Sequence, residues 1–440
     1  MNVFLVWDHV FFKEIDLTRE ESELTSTPEV NRIKRITQLG LVYLAPQFSS
    51  AQHTRYDHSL GVLYLANKAG EYLSLATEQM MALRLAALLH DVGHGPFSHF
   101  SEKILGWLGM DVKHEETSAH IVRDSPNIGK IWQKYGNLPD RGFIADVISR
   151  KPSNDPILDK ILSNDIDVDR IDYLLRDLKF TGLGYSLDYE RLIQGLAKTN
   201  VRTAGRTRID TAVKEDYVTD ANFLLLARVM LRPHVYYEPV HRAAEILIFN
   251  CLQQAMVEGG NSEFNLMGKD ELKNKLFFKM DDSAMISELE KSSSENYRLI
   301  NEIKQGKVYD FHICLKWREL SAYLHDEILK KETEPLGFKK LWDFANEIRR
   351  DLPTYLNRQI GSNEIFVDIP KLGRLEEASM KVLVSDGKLM RLEDFSPLAS
   401  SLKEAYKELW SLLVFVRLKN KREIHFKDVE DRIRRYFSEW

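Results

Sequence analysis

Apolar residues recur at helical spacing over most of the first 260 positions. Pro28–Gly40 places Val30, Ile33, Ile36 and Leu39 along one face and ends on a glycine, which predicts a helix closed by Gly40. Tyr56–Leu75 repeats the spacing through Leu60, Leu63, Tyr64, Ala66 and Leu73. Thr77–His90 contains MALRLAALL, apolar on nearly every face, the pattern of a helix buried all round. Shorter helices are predicted over Phe97–Leu108, His114–Val122 and Ile166–Leu178, and longer ones over Thr219–Leu231 and Val240–Val257. Val201–Thr211 alternates around Ala204-Gly205, which predicts a β-hairpin.

After Gly259-Gly260 the texture changes. Lys269–Lys304 is polar and charge-rich, predicting short helices with a surface loop at Ser292–Ser294. Val308–Trp317, Glu364–Ile369 and Met380–Arg391 read as strands, the last containing the Asp386-Gly387 turn signal. Helices follow at Leu398–Trp410, with Ser396 and Pro397 as start signals, and at Phe426–Phe437. The expected organisation is therefore mainly α: an N-terminal segment (1–27), a helical core (28–260) and a smaller α+β C-terminal part (261–440).

Composition narrows the class. Of 440 residues, 44% are apolar and 29% charged, as in a soluble globular protein. Lys and Arg number 61 against 66 Asp and Glu, a net charge of −5, so no overall basic field draws the chain to nucleic acid. Cys251 and Cys314 are too few for a disulfide framework and lack metal-site spacing; two buried thiols in a reducing cytosol are expected. No apolar run approaches about 18 residues. Asp8 and His9 follow Val3–Trp7 directly, without the basic start and cleavage pattern of a signal peptide. A cytoplasmic protein without membrane attachment is expected.

The chemistry concentrates in LLHDVGHGPFSH, Leu88–His99. A buried helix ends in His90-Asp91, then Gly93, Gly95 and Pro96 break it. Burying such a pair is costly unless the groups are hydrogen-bonded, paired or ligated, and neutral imidazole with carboxylate is a donor set for a hydrolytic divalent metal. Alone, the dipeptide fits a structural histidine beside a helix-terminal carboxylate better than a metal site. Matching donors elsewhere shift the reading to a metal: His58 in HTRYDHSLGV and Asp169 in DVDRIDYLLRD. Asp169, Tyr173 and Asp177 stand at i, i+4, i+8 on one helix face, while Asp165 and Asp167 suit an acidic helix start.

These three segments together resemble the HD-domain superfamily. More narrowly, they resemble its deoxynucleoside triphosphate (dNTP) triphosphohydrolase branch, which includes the vertebrate SAM-and-HD-domain protein and bacterial dGTPase-like enzymes. The likeness covers roughly residues 28–260, so the helical core is expected to be an HD domain, and no SAM domain is expected.

The resemblance implies a divalent metal (Mn, Fe, Zn, Ni or Mg) on His58, His90, Asp91 and Asp169. It implies attack of water on the α-phosphorus of a dNTP, releasing nucleoside and triphosphate. His94, His99 and His114 match the family's further active-site histidines, His99 as proton donor to the leaving 5′-oxygen. Glu102 stands where the family often has Asp and would orient a histidine; Glu115 matches another acidic position. Gln38 and Leu39 match the pair that meets the sugar, and Arg55 a phosphate-binding arginine. Arg170 replaces a usual lysine, Tyr173 and Asp177 match sugar contacts, and Arg232 takes the place of a second phosphate-binding arginine. In this alignment Val240 falls where a sugar-stacking tyrosine is expected, with Tyr236, Tyr237 or His241 as substitutes.

The family is oligomeric, so the resemblance also implies a homo-oligomer, with the C-terminal part supporting the core and the subunit contacts. Two alternatives stand beside the dNTP reading. One keeps the metal site but acts on another phosphomonoester or phosphodiester, such as a nucleoside monophosphate or cyclic nucleotide. The other is a nucleic-acid-binding regulatory protein with a vestigial HD fold, disfavoured by four intact ligands and an acidic charge.

Overall fold

At the centre of the molecule lies the helix Thr77–Leu89, its residues from Ala82 onward buried except Arg84. The computed structural model describes residues 4–8, 10–184, 186–203, 206–258, 260–357, 359–373, 375–419 and 424–440. Val3, His9, the turn pair Ala204-Gly205 and Gly259 lie outside the described residues. The fold is mainly α with small sheets.

Helix Arg55–Tyr72 packs along the central helix and opens with a reciprocal capping box: Thr54 Oγ1 accepts the Asp57 N–H, and Asp57 accepts the Thr54 N–H. Helix Val168–Thr181 packs on its other side, capped by Asp167 and closed by Gly182 in the left-handed region (φ +71°). Gly61 is required where these two helices meet. A Cβ there would collide with the Asp172 carboxylate and the Arg176 guanidinium.

The helix predicted over Pro28–Gly40 stops at Ile33. Residues 36–40 instead make cross-chain bonds: Arg55 N–H to Ile36 O at 2.9 Å and Gln38 N–H to His53 O at 2.9 Å. The Thr37 N–H and hydroxyl donate to Asp282 at 2.9 and 2.7 Å, and Gly40 turns at φ +58°. These bonds replace the helical ones while Ile36 and Leu39 remain buried, so the apolar spacing is kept without the helix. Asp282 also accepts the Phe97 N–H at 2.6 Å, fixing the segment after the His90-Asp91 pair.

The predicted hairpin forms from Leu196–Thr203 and Arg206–Lys214, paired antiparallel. Lys381–Leu383 then pairs parallel with Arg206–Lys214 and antiparallel with Leu389–Arg391, so Met380–Arg391 is a hairpin around Gly387 rather than one strand. A second sheet has the order Phe311–Lys316, Ser411–Val416, Ile365–Asp368, all antiparallel. Its middle strand, SLLVFV, is buried at every position. Neither this strand nor the amphipathic helices Ala322–Thr333 and Gly337–Tyr355 are among the elements predicted above. Ser292–Ser294 is a helix junction, not a surface loop: Ser292 is buried and Ser293 caps the helix that follows. Cys251 is buried and Cys314 half-buried, both as free thiols.

Three apolar clusters form the core. The first joins residues 12–235 to 375–406, the second joins helix His99–Trp107 to residues 243–308, and the third lies within 313–437. The parallel pairing at Lys381–Leu383 and the first cluster together carry C-terminal residues back against the helical core, beside the site.

Candidate functional site

Where the helices Arg55–Tyr72, Thr77–Leu89 and Val168–Thr181 converge, four donor groups meet. His58 Nε2 lies 3.3 Å from His90 Nε2 and 3.1 Å from Asp169 Oδ1. Asp91 brings one oxygen to 3.3 Å from His90 Nε2 and the other to 3.7 Å from His58 Nε2. Each imidazole is held from behind. His58 Nδ1–H donates to Asp172 at 2.8 Å, and His90 Nδ1–H donates to Ala87 O at 2.7 Å. Asp172 is in turn held by Arg176 at 2.7 Å, and Arg176 by Asp8 at 2.5 Å.

With both Nδ1 positions donating, the two Nε2 lone pairs face each other and two carboxylates. Such a group is repulsive without a shared cation. Donors each about 2.1 Å from one metal stand about 3.0–3.4 Å apart, and the two imidazole nitrogens have that spacing. The residues therefore fit a divalent metal, and His58, His90 and Asp91 are among the groups that could hold one. The electrostatics agree. Burial opposes a charged His58, but its bonds to Asp169 and Asp172 and the charge of Asp91 hold its pKa up at about 10. Asp169 and Asp91 both sit below the usual carboxylate range: burial opposes this, but the His58 bond with the histidine charges wins at Asp169, and His90 with Arg55 wins at Asp91. The carboxylates are thus held ionised and a positive charge is favoured at His58, where a bound cation could take the proton's place.

A second cluster adjoins the first. Glu102 reaches two histidines, His114 Nδ1 at 2.6 Å and His99 Nδ1 at 3.2 Å, so its extra methylene relative to Asp serves both. His94 stacks on His114 with ring centroids 3.9 Å apart, and its Nε2 lies 3.4 Å from Asp91 Oδ1. His94 is fully buried and hydrogen-bonds through neither nitrogen; burial, Arg55 and His114 push its pKa well down. His114 moves the opposite way, since Glu102 outweighs burial. His99 stays 58% exposed at the side chain, and Glu115 lies 3.4 Å from His114 and 3.3 Å from Arg150.

Both clusters border a cavity of about 530 Å³. Gln38, Leu39, Arg55, Arg170, Tyr173, Asp177 and Arg232 all line it, as do Asp91, Asp169, His99, His114 and Glu115, whereas His58, His90, His94 and Glu102 stand behind its surface. Arg55 donates to Asp91 and to Ser98 Oγ, both at 2.8 Å. Arg232 is committed elsewhere: it donates to the carbonyls of Leu372 and Tyr406 and to the Tyr237 hydroxyl, and lies 3.7 Å over the Tyr406 ring.

Tyr236, Tyr237 and His241, the expected substitutes for the missing tyrosine, line the cavity, together with groups that the sequence did not point to. Arg228, one helical turn before Arg232, lies 5.9 Å over Tyr173 and 5.2 Å over Tyr236. Tyr236 donates to Asp177 at 2.8 Å, opposite a His53 contact at 3.2 Å, while Val240 packs against the apolar core. The C-terminal residues Lys371–Gly373, Glu376, Glu377 and Tyr406 complete the wall, so this part of the chain builds the site as well as supporting the core. Asp172 had a readable signal, a lone carboxylate within an apolar helix face. Arg228 and Glu377 had none, because only folding brings them together.

Comparison with known proteins identifies the family of the chain. The HD domain model matches residues 55–177, and the HD associated region matches 187–434. An uncharacterised protein of Methanocaldococcus jannaschii is 31% identical over 97% of this chain and 82% of its own length. A deoxynucleoside triphosphate triphosphohydrolase of Gallus gallus is 28% identical over 66% of this chain. The match spans 52% of that enzyme, and likewise 51% of an uncharacterised Bacillus subtilis relative, 32% identical over 53% of this chain. A hypothetical protein of Aquifex aeolicus has the same fold, with a TM-score of 0.68 at 23% identity over 98% of this chain and all of that one. Among the described residues no helix is long and apolar enough to cross a membrane. The family models run in sequence from the His58 helix through the C-terminal wall of the cavity, and the chain belongs to the HD-domain phosphohydrolase family.

Proposed function

We propose that the protein hydrolyses dNTPs to deoxynucleoside and inorganic triphosphate, with a divalent metal on His58, His90, Asp91 and Asp169. The observation that carries this reading is the facing pair of imidazole nitrogens, 3.3 Å apart, beside a cavity with guanidinium groups on its wall. The name of the Gallus gallus relative supplies the substrate class.

The metal would supply a Lewis acid for a phosphoryl oxygen and lower the pKa of the attacking water. Arg55, held by Asp91 and Ser98, sets a fixed positive charge at the reacting phosphate. Arg170 and Arg228 would face the rest of the triphosphate. Tyr173 offers its ring to the sugar, and Asp177, oriented by Tyr236, accepts from a sugar hydroxyl. As water, giving up a proton to solvent, bonds to the α-phosphorus, the bond to O5′ breaks and that oxygen takes a proton. His99 can deliver it, because Glu102 holds Nδ1 and leaves Nε2 directed away. His94 remains neutral and packs His114 in place. Gln38 and Leu39 close the sugar end.

Chromatographic product analysis tests the reading. Purified protein with Mn²⁺ is given each dNTP, singly and mixed, beside Asp91→Ala. Deoxynucleoside and triphosphate from the native protein alone are expected. Intact dNTPs throughout would remove the substrate claim, and monophosphates and cyclic nucleotides would be assayed next.

A further inference from the structure

The arginine wall of the cavity already holds an anion of the protein's own. Arg170 Nη1 meets Glu377 Oε1 at 2.5 Å, its Nε lies 3.3 Å from Asp167, and its Nη2 lies 3.8 Å from Glu376. Arg228 Nε approaches the same Glu377 oxygen at 3.6 Å. One buried carboxylate oxygen thus stands between two guanidinium groups, with the position and charge that a phosphate oxygen would take. A phosphate oxygen cannot take the place between the two arginines while Glu377 keeps it.

Glu377 arrives from far along the chain, on the short turn Glu376–Ser379. Leu375, Ala378 and Met380 anchor that turn in the first apolar cluster. The backbone is therefore fixed, and the flexible Glu side chain, which borders the cavity, is the part that can withdraw. Glu376 differs: its side chain is 67% exposed and it touches Arg170 only at the outer edge.

We infer that Glu377 is an internal competitor for a polyphosphate tail. It occupies the Arg170–Arg228 pair in the resting protein, is displaced by the terminal phosphates of an incoming ligand, and on returning expels inorganic triphosphate. The inference rests on reading the site as one for triphosphates, but concerns only the tail. A triphosphate carries more negative charge than one carboxylate and wins the exchange at a cost in affinity. Orthophosphate, bound at the metal end alone, does not meet Glu377 and bears no such cost. Glu377 is thus a specificity-determining residue that keeps the grip on a released polyphosphate loose.

Calorimetric titration of the full-length, Mn²⁺-loaded protein with inorganic triphosphate and with orthophosphate tests this. Glu377→Gln keeps the shape and removes the charge. Triphosphate should bind roughly tenfold tighter to it, the scale of one hydrogen bond to a charged group. Orthophosphate affinity should change by less than about twofold, and so should triphosphate affinity in Glu376→Gln, whose contact is exposed. Removing the counter-charge leaves Arg228 without its carboxylate and Arg170 with only Asp167 and the outer Glu376, so triphosphate should raise Tm more in Glu377→Gln than in the native protein. Unchanged or weaker triphosphate binding in the variant overturns the inference and makes Glu377 a positioning residue. Absence of triphosphate binding in both proteins overturns it as well. Should Glu377→Gln not fold, Glu377→Asp, too short to reach both arginines, is read in the same way. Tighter binding in the variant together with no dNTP hydrolysis would remove the substrate reading and leave the competition standing.

Discussion

The two ends of the cavity are built in opposite ways. At the inner end the four donors come from residues 58–169, and each imidazole is oriented by a partner on the same helices or one adjacent. At the outer end, Arg170 and Arg228 are neutralised by a carboxylate about 150 to 200 residues further on, carried there by sheet pairing and apolar packing. The inner end is a rigid set of aimed lone pairs. The outer end is a balance of charges that a ligand can tip. Substitutions at the inner end should therefore remove chemistry outright, and those at the outer end should shift affinity.

The largest effect is expected from Asp91→Ala, which deletes a carboxylate shared by both inner imidazoles and by Arg55. Metal content by mass spectrometry should fall to background and dNTP hydrolysis by about 10³-fold or more. Retention of one metal per chain would break the claim that this carboxylate belongs to the metal centre.

Next comes Asp172→Asn, which touches no substrate. Loss of its charge behind His58 Nδ1 should weaken metal affinity by about 10- to 100-fold in competition with a chelator. An unchanged affinity would mean that Asp172 only pairs Arg176.

The two arginines one helical turn apart should separate cleanly. Arg232→Ala leaves buried carbonyls of Leu372 and Tyr406 without a donor and should cost about 2 kcal/mol of stability in urea titration. Arg228→Ala should raise KM for a dNTP by roughly tenfold at nearly unchanged stability. The reverse pattern would return the phosphate role to Arg232.

The smallest effect concerns His241, whose burial, aided by Lys103 and Arg242 against Glu245, holds its pKa down at about 3. The unfolded chain protonates this ring as pH falls through about 6.5, while the folded chain does not until about pH 3. Stability is therefore complete above 6.5 and is lost progressively as pH falls below it. The part due to His241 between pH 7 and pH 6 is about 0.7 kcal/mol. His241→Phe should remove that increment from the native pH dependence, and an identical slope in both proteins would count against it.

The inner end was legible because its parts lie in short segments with their own patterns. An apolar helix ending in His90-Asp91, a further histidine at His58 and a periodic run of Asp169, Tyr173 and Asp177 are each readable locally, and it is their combination that points to a metal. Arg228 was missed because the resemblance pointed to Arg232, whereas the helix turns Arg228 toward Tyr173 and Arg232 toward Leu372. The break after Ile33 was missed for a related reason. Apolar spacing records which residues are buried, and Ile36 and Leu39 are buried, but hydrogen bonds to His53, Arg55 and Asp282 decide the backbone.

By itself the sequence determined the helical class, the donor types and their order along the chain, because burial period and metal chemistry are both local properties of residue type. Only the tertiary structure decided which of two cavity arginines is tied to backbone carbonyls, which carboxylate holds the other, and how the C-terminal turn completes the site. Those outcomes depend on contacts between residues hundreds of positions apart, such as Arg170 with Glu377. No periodicity encodes such a pairing; it is fixed only when Leu375, Ala378 and Met380 find the same apolar core as the helices.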